Sequence, residues 1–259
     1  MSSLLESDET AVQVSAGEPY ATQNRNRRTE RSFSTVTDHS GLKLTWRAGE
    51  PVLHAGRSGV QVALKRVFDI ILSALALTAL LPLFAAIAVA IKLTSRGPVF
   101  FVQEREGLGG KTFGVFKFRT MRTEEGDPSG VKQTLVGDSR ITQIGRFLRR
   151  TSIDELPQLI NVLVGHMSLV GPRPHVPGML ANGVPYAQLV PYYNLRHEVL
   201  PGITGWAQAN GLRGTTVSVD LAIMRIEHDL AYIQNVSLLL DVAILFRTVR
   251  REFLTGTGH

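Results

Sequence analysis

The sequence contains no cysteine, which removes disulfides, thiolate nucleophiles and cysteine metal ligands from consideration. Aromatic residues are few, at 7%, and acidic residues are outnumbered. Twenty-two Asp and Glu stand against 28 Lys and Arg, giving a net charge of +6. Such a surplus suits nucleic acid, an anionic membrane surface or phosphorylated substrates equally well, so charge alone selects none of them. No interleaved aromatic and basic pattern or nucleic-acid-binding module is present, and no nucleic-acid partner is expected. The opening MSSLLESDET lacks the basic-then-apolar order of a signal peptide. His166, His175 and His197 lack ligand spacing and are read as structural. The GLGG at 107–110 is too short for a nucleotide fingerprint and reads as a turn.

What is present divides at about residue 60. Residues 1–60 are polar with no sustained apolar period, and a disordered tail is expected there, or alternatively a basic arm on anionic lipid. Residues 61–259 form the expected folded domain, an α+β fold that is mostly helical. Ile70 to Ile91 is a run of 22 residues without a charge. As a straight helix it would measure ~33 Å, against a hydrocarbon core of ~30 Å. The run has no polar face, which disfavours a buried soluble helix. Pro82 lies inside it and conflicts with the carbonyl of Thr78, whose hydroxyl offers partial compensation. Lys65 and Arg66 precede the run, and Lys92 and Arg96 follow it. Basic residues favour the cytoplasmic side. A helix over about 67–93 that enters, breaks at Pro82 and returns fits both flanks, and so does a kinked span. Beyond it, GPVFFVQEREGLGGKTFGVFKFRTM reads as a small β-hairpin turning at Gly109-Gly110. The final LLLDVAILFRTVRREF fits a core helix or one lying on a membrane surface.

The residues with most chemical promise lie in RFLRRTSIDELPQLINVLVGHMSLVGPRPH, 146–175. Asp154 and Glu155 stand just before a helix start marked by Pro157. They can be read as caps: Asp154 as an N-cap, or Ser152 with Glu155 as a capping box. They can equally be read as nucleophile and metal ligand. Arg146, Arg149 and Arg150 precede them, and Arg173 follows between two prolines. Arginine forks suit phosphate oxygens, and a carboxylate attacking a phosphate needs cations to offset the repulsion between two anions. The acidic pair separates an enzyme from a non-catalytic basic membrane adaptor, which has no need of carboxylates inside its arginine cluster.

From Lys65 onward the chain resembles the bacterial sugar transferase family, the monotopic phosphoglycosyl transferases. The resemblance rests on KRVFDIILSALAL with the proline-interrupted apolar helix, GPVFFVQEREGLGG, FKFRTM, RRTSIDELPQLINVLVGHMSLVGPRP and PGITGWAQANG. It implies a monotopic membrane protein with a re-entrant, proline-broken helix in the cytoplasmic leaflet of the bacterial inner membrane. It also implies transfer of a hexose-1-phosphate from a UDP-sugar to undecaprenyl phosphate, releasing UMP and starting exopolysaccharide or capsule assembly. On that pattern Asp154 is the nucleophile, Glu155 binds Mg²⁺, and Arg149 and Arg173 hold phosphate. Lys117, Arg119, Gln103 and Arg105 are weaker candidates for substrate contact. Two departures stand out: Leu81-Pro82 replaces the family's usual Ser-Pro break, and only a short polar tail precedes the domain. Trp206 could stack on uracil or lipid or pack internally, while Asp229, Tyr232 and Asp241 are assigned only support of the last helices.

Overall fold

The computed structural model describes residues 34–37, 41–47, 50–53, 58–122, 138–214 and 218–255. Residues 1–33, the larger part of the expected disordered tail, lie outside the described residues. The described part of the remainder contains strands. Strands β1 (Ser34–Thr37), β2 (Lys43–Arg47) and β3 (Glu50–Pro51) form an antiparallel sheet in the order β1-β2-β3. Alternation along β2 places Leu44 and Trp46 on one face, 3% and 2% exposed, within the main core. The backbone of Thr45 is matched by one amide 189 residues away: Gln234 Oε1 accepts from Thr45 N at 2.7 Å, and Gln234 Nε2 donates to Thr45 O at 3.0 Å. Composition hid this sheet because its partners are supplied by a distant helix.

Helix α1 spans Gly59–Thr94, starting at a Ser58–Gln61 capping box and ending at Ser95. It is longer than the expected 67–93 and remains helical through Pro82. The Thr78 hydroxyl donates to Ala74 O at 2.9 Å, one turn before the carbonyl that Pro82 leaves without a donor, so it does not compensate there. Burial along α1 is inverted relative to a water-soluble helix. The polar Asp69 and Ser73 are buried with Ile87 and Ile91, whereas Ile71, Leu75, Leu81 and Val89 are exposed. An apolar exterior over a polar seam is the pattern of a helix whose solvent is lipid. By length and composition it is the one helix among the described residues able to cross a membrane.

The hairpin expected around Gly109-Gly110 is present, as β4 (Phe100–Glu106) and β5 (Thr112–Phe118), with Phe100 opposite Phe118 and Glu106 opposite Thr112. Both turn glycines have positive φ, 63° and 73°. Asn161 serves the free edge of β5, accepting from Phe116 N at 2.9 Å and donating to Gly114 O at 2.7 Å. It belongs to α3 (Gln158–Val164), which follows α2 (Gln143–Arg150). Helix α2 is capped by the Thr142 hydroxyl on Gly145 N at 2.9 Å. It lies so close to the end of β5 that a Cβ on Gly145 would sit 2.0 Å from Thr120 O.

The C-terminal half adds a parallel pair, β6 (Ser168–Val170) with β9 (Gly202–Thr204). Between them come a two-residue hairpin, β7 (Leu180–Ala181) and β8 (Val184–Pro185), the short α4 (Tyr186–Leu189) and a 3-10 turn, Tyr193–Glu198. After the one-turn α5 (Trp206–Ala209), two helices close the fold, α6 (Val219–Gln234) and α7 (Leu238–Thr255). Trp206 is 4% exposed and its ring lies 4.9 Å below the Arg247 guanidinium, so packing is its role in this fold. The core is helical and aromatic, with Tyr186, Tyr232, Ile226 and Leu230 fully enclosed. A smaller core of Ile87, Ile91, Phe118 and Leu148 joins the far end of α1 to the hairpin and α2. Burying each of those side chains contributes about 1.5–3 kcal/mol.

Candidate active site

The Asp154-Glu155 pair is placed by an abrupt reversal of the chain. Helix α2 stops at Arg150, and Ser152 takes the left-handed conformation, φ 54° and ψ 14°, which non-glycine residues seldom adopt. The 3-10 turn Ile153–Glu155 follows, and Pro157 caps α3 at the helix start that its presence foretold. Neither capping alternative is realised: the Ser152 side chain makes no capping hydrogen bond, and no side chain caps α3.

Adjacent in sequence, the two carboxylates have different surroundings. Glu155 is clamped. Its Oε1 accepts from Lys117 Nζ at 2.8 Å and from Arg173 Nη2 at 2.6 Å, and its Oε2 accepts from Arg173 Nη1 at 3.1 Å. Burial alone would raise its pKa, but the charges of Arg173 and Lys117 hold it well below the usual carboxylate range. Asp154 makes no hydrogen bond or ion pair among the described residues. Burial, reinforced by the neighbouring Glu155 charge, pushes its pKa up to about 6, against the pull of Lys117, Arg149 and Arg173.

The other candidates sort by distance from this pair. Lys117 reaches Glu155 from β5, and Arg173 reaches it from the loop after β6. The Arg149 side chain, in the last turn of α2, makes no hydrogen bond or ion pair among the described residues, and its charge acts on Asp154 and Asp138. Arg105 lies one layer back: its Nη1 donates to Pro174 O at 3.2 Å and its Nε to Gln103 Oε1 at 3.1 Å. Burial and the Arg173 charge lower its pKa to about 10. Gln103, 8% exposed, thus orients Arg105 and does not face the carboxylates. Arg119 lies apart from the pair. Strand β5 ends at Phe118, so Lys117 lies on the strand and Arg119 beyond it. The Arg119 guanidinium turns away to donate to Ser95 O at 2.8 Å and Ser95 Oγ at 3.0 Å, where it closes the C-terminus of α1.

Two residues bearing on the site carried no sequence signal. Arg213, in the loop after α5, is close enough to feel the charges of Glu155 and Arg173. Arg196 touches the backbone of Arg173 itself. For a divalent cation, the available donors are few. Glu155 Oε2 accepts a single bond and Asp154 is open beside it. No group of three or more His, Asp or Glu side chains gathers among the described residues. A cation here would draw at most these two carboxylates and complete its shell with water and phosphate oxygens, the usual manner of Mg²⁺.

Comparison with known proteins places this geometry in context. A family model described as bacterial sugar transferase matches residues 60–255. The exopolysaccharide production protein PSS of Rhizobium leguminosarum bv. phaseoli is 52% identical over 199 residues, covering 77% of this chain and 100% of that protein. The undecaprenyl-phosphate glucose phosphotransferase of Komagataeibacter xylinus is 52% identical over 191 residues, covering 74% of this chain and 36% of the relative. The UDP-glucose:undecaprenyl-phosphate glucose-1-phosphate transferase of Escherichia coli K12 is 49% identical over 209 residues, covering 81% and 44%. The chain therefore spans less than half the length of the latter two.

Proposed function

The chain belongs to the bacterial sugar transferase family, and from that premise we propose that it moves a hexose-1-phosphate from a UDP-sugar to undecaprenyl phosphate. The observation that carries this reading is the open Asp154 carboxylate beside a Glu155 held by Lys117 and Arg173. In the first step an Asp154 oxygen attacks the β-phosphorus. The bond from that phosphorus to the bridging oxygen breaks, and UMP leaves with the electron pair. In the second, an oxygen of undecaprenyl phosphate attacks the same phosphorus, the aspartyl–phosphorus bond breaks, and the Asp154 carboxylate is regenerated. Arg149 and Arg173 offset the donor's negative charge as the two anions meet, while Lys117 keeps Glu155 ionised and oriented. Arg105 acts behind Arg173. Glu155 would hold Mg²⁺, which supplies positive charge to the diphosphate. The product starts an exopolysaccharide or capsule chain, with glucose the first sugar to test on the strength of the relatives' names.

The same reading puts α1 into the cytoplasmic leaflet of the inner membrane and returns it to the side it entered. Support comes from both of its ends. Near the start, Lys65 Nζ meets Asp241 at 2.6 Å and Arg66 donates to Val162 O at 2.7 Å. Near the end, Ile91 packs on the hairpin core and Ser95 is bound by Arg119. One folded domain thus grips residues that a straight helix would separate by ~39 Å, more than a hydrocarbon core is thick. Because the chain has no cysteine, Ser58→Cys and Ser95→Cys can report their side. An impermeant maleimide on intact spheroplasts should label neither, and both should react after lysis. Labelling of one before lysis would establish a span. The activity itself is tested by mixing UDP-glucose, undecaprenyl phosphate and the detergent-solubilised chain. UMP should be released by the unmodified protein and not by Asp154→Asn, and release by both would overturn the assignment.

A further inference from the structure

Three consecutive carbonyls in the loop that carries Arg173 are held by three different parts of the chain. Pro172 O accepts from Gly202 N at 2.9 Å, Arg173 O from Arg196 Nη2, and Pro174 O from Arg105 Nη1 at 3.2 Å. Two of these residues are prolines, with φ fixed and no N–H to offer, so the loop cannot brace itself. Its direction is set from outside. Gly202 and Arg105 lie on the adjoining β9 and β4, but Arg196 comes from the separate 3-10 turn and is 2% exposed.

Arg196 has a support of its own. The Nη2 that donates to Arg173 O also donates to Asp229 Oδ2 at 2.8 Å, and Asp229 on α6 is equally buried. The guanidinium lies 5.4 Å from the Tyr193 ring centre. The Tyr193 hydroxyl in turn donates to Glu106 Oε2 at 2.7 Å and lies 3.1 Å from His175 Nδ1. Burying an ion pair this completely is costly, and apolar side chains of the same volume often stabilise a fold as well or better. What apolar side chains could not do is donate to the Arg173 carbonyl.

We infer that Arg196, anchored by Asp229, is a positioning residue that fixes the backbone of Arg173 and so aims its guanidinium at Glu155. The inference rests on the reading of the Asp154–Glu155 pair as the reacting centre. It adds a layer that touches neither substrate nor reacting atoms, and gives Asp229 a role beyond supporting the last helices.

A double-mutant cycle on the full-length, detergent-solubilised protein separates positioning from general support. Arg196→Met combined with Asp229→Leu removes the pair without leaving either charge alone. UMP release and thermal melting are measured for this change in two backgrounds, the unmodified protein and Arg173→Lys. In the unmodified background kcat/KM should fall about 10- to 100-fold with Tm changed by only a few degrees, the loss expected for a misplaced charge-assisted contact. In the Arg173→Lys background the further loss should be under about 3-fold, because the group being aimed is already gone. Equal losses in both backgrounds, or no loss in a folded variant, would overturn the inference. If the combined exchange prevents folding, Arg196→Lys is run through the same cycle. It keeps the charge but replaces the planar guanidinium with a shorter ammonium stem, and the same inequality decides. Absence of UMP release from the unmodified protein would instead count against the proposed function, so the two failures are distinguishable.

Discussion

Asp154 and Glu155 are neighbours in the chain, yet the Asp154 carboxylate takes no hydrogen bond among the described residues while that of Glu155 is held by two cations. Glu155 accepts three hydrogen bonds from two basic side chains, and its charge is stabilised where it lies. Asp154 takes none among the described residues, and burial together with the Glu155 charge keeps its proton to about pH 6. The backbone explains the contrast: left-handed Ser152 and the tight 3-10 turn aim successive side chains in divergent directions. The satisfied carboxylate can organise charge, and the unsatisfied one retains a lone pair with which to react.

If that division is right, loss of activity and loss of stability should separate between the two residues. Asp154→Asn should cost on the order of 10³-fold or more in UMP release, as removal of a nucleophile does. Its melting temperature should be unchanged or slightly higher, since repulsion with Glu155 is relieved. Glu155→Gln should cost less activity, about 10²-fold, and more stability, about 2 kcal/mol, because Lys117 and Arg173 lose their counter-charge. Calorimetry and a UMP-release assay on the same preparations check both. Equal melting losses would erase the distinction.

Arg173→Lys sharpens the comparison from the cation side. It should lower kcat/KM about 10- to 100-fold, since a point charge cannot reproduce the fork on both Glu155 oxygens. A parallel collapse in Tm would make Arg173 structural instead. The smallest expected effect lies in the pH profile. Attack requires ionised Asp154, so activity should rise with pH through about 6 in the unmodified protein. In Glu155→Gln the neighbouring negative charge is gone, and this acid limb should move to lower pH. For stability the signs oppose. The raised pKa of Asp154 gives stability that is present below its unfolded value and lost as pH rises through about 6. The depressed pKa of Glu155 gives stability present above its unfolded value and lost as pH falls through its folded one. An acid limb that stays fixed in Glu155→Gln would mean that another group sets it.

The parts of this arrangement that depend on local chemistry were legible in the sequence. Gly109-Gly110 announced the hairpin, and Pro157 the start of α3. The uncharged run announced α1, and Asp154, Glu155, Lys117 and Arg173 do converge. What depends on distant pairing was not. The sheet of β1, β2 and β3 is held by Leu44, Trp46 and a glutamine on α6, none of which stands out in its stretch of sequence. Arg119 is named beside Lys117 on the family pattern, but the strand ends between them and the Arg119 guanidinium binds Ser95. Arg196 carries no signal of its own in the sequence, and its contacts are to a backbone carbonyl 23 residues away and an aspartate 33 away.

The open-versus-clamped division is tested most directly by trapping the enzyme between its two half-reactions. UDP-glucose labelled at the β-phosphate is mixed with stoichiometric detergent-solubilised protein, without undecaprenyl phosphate, and quenched in acid. The unmodified chain should release UMP and retain the label covalently, with Asp154 as the labelled residue by peptide mapping. Glu155→Gln should acquire the label more slowly, and Asp154→Asn not at all. Label on Asp154→Asn, or UMP formed only when undecaprenyl phosphate is present, would contradict a reaction through the open carboxylate.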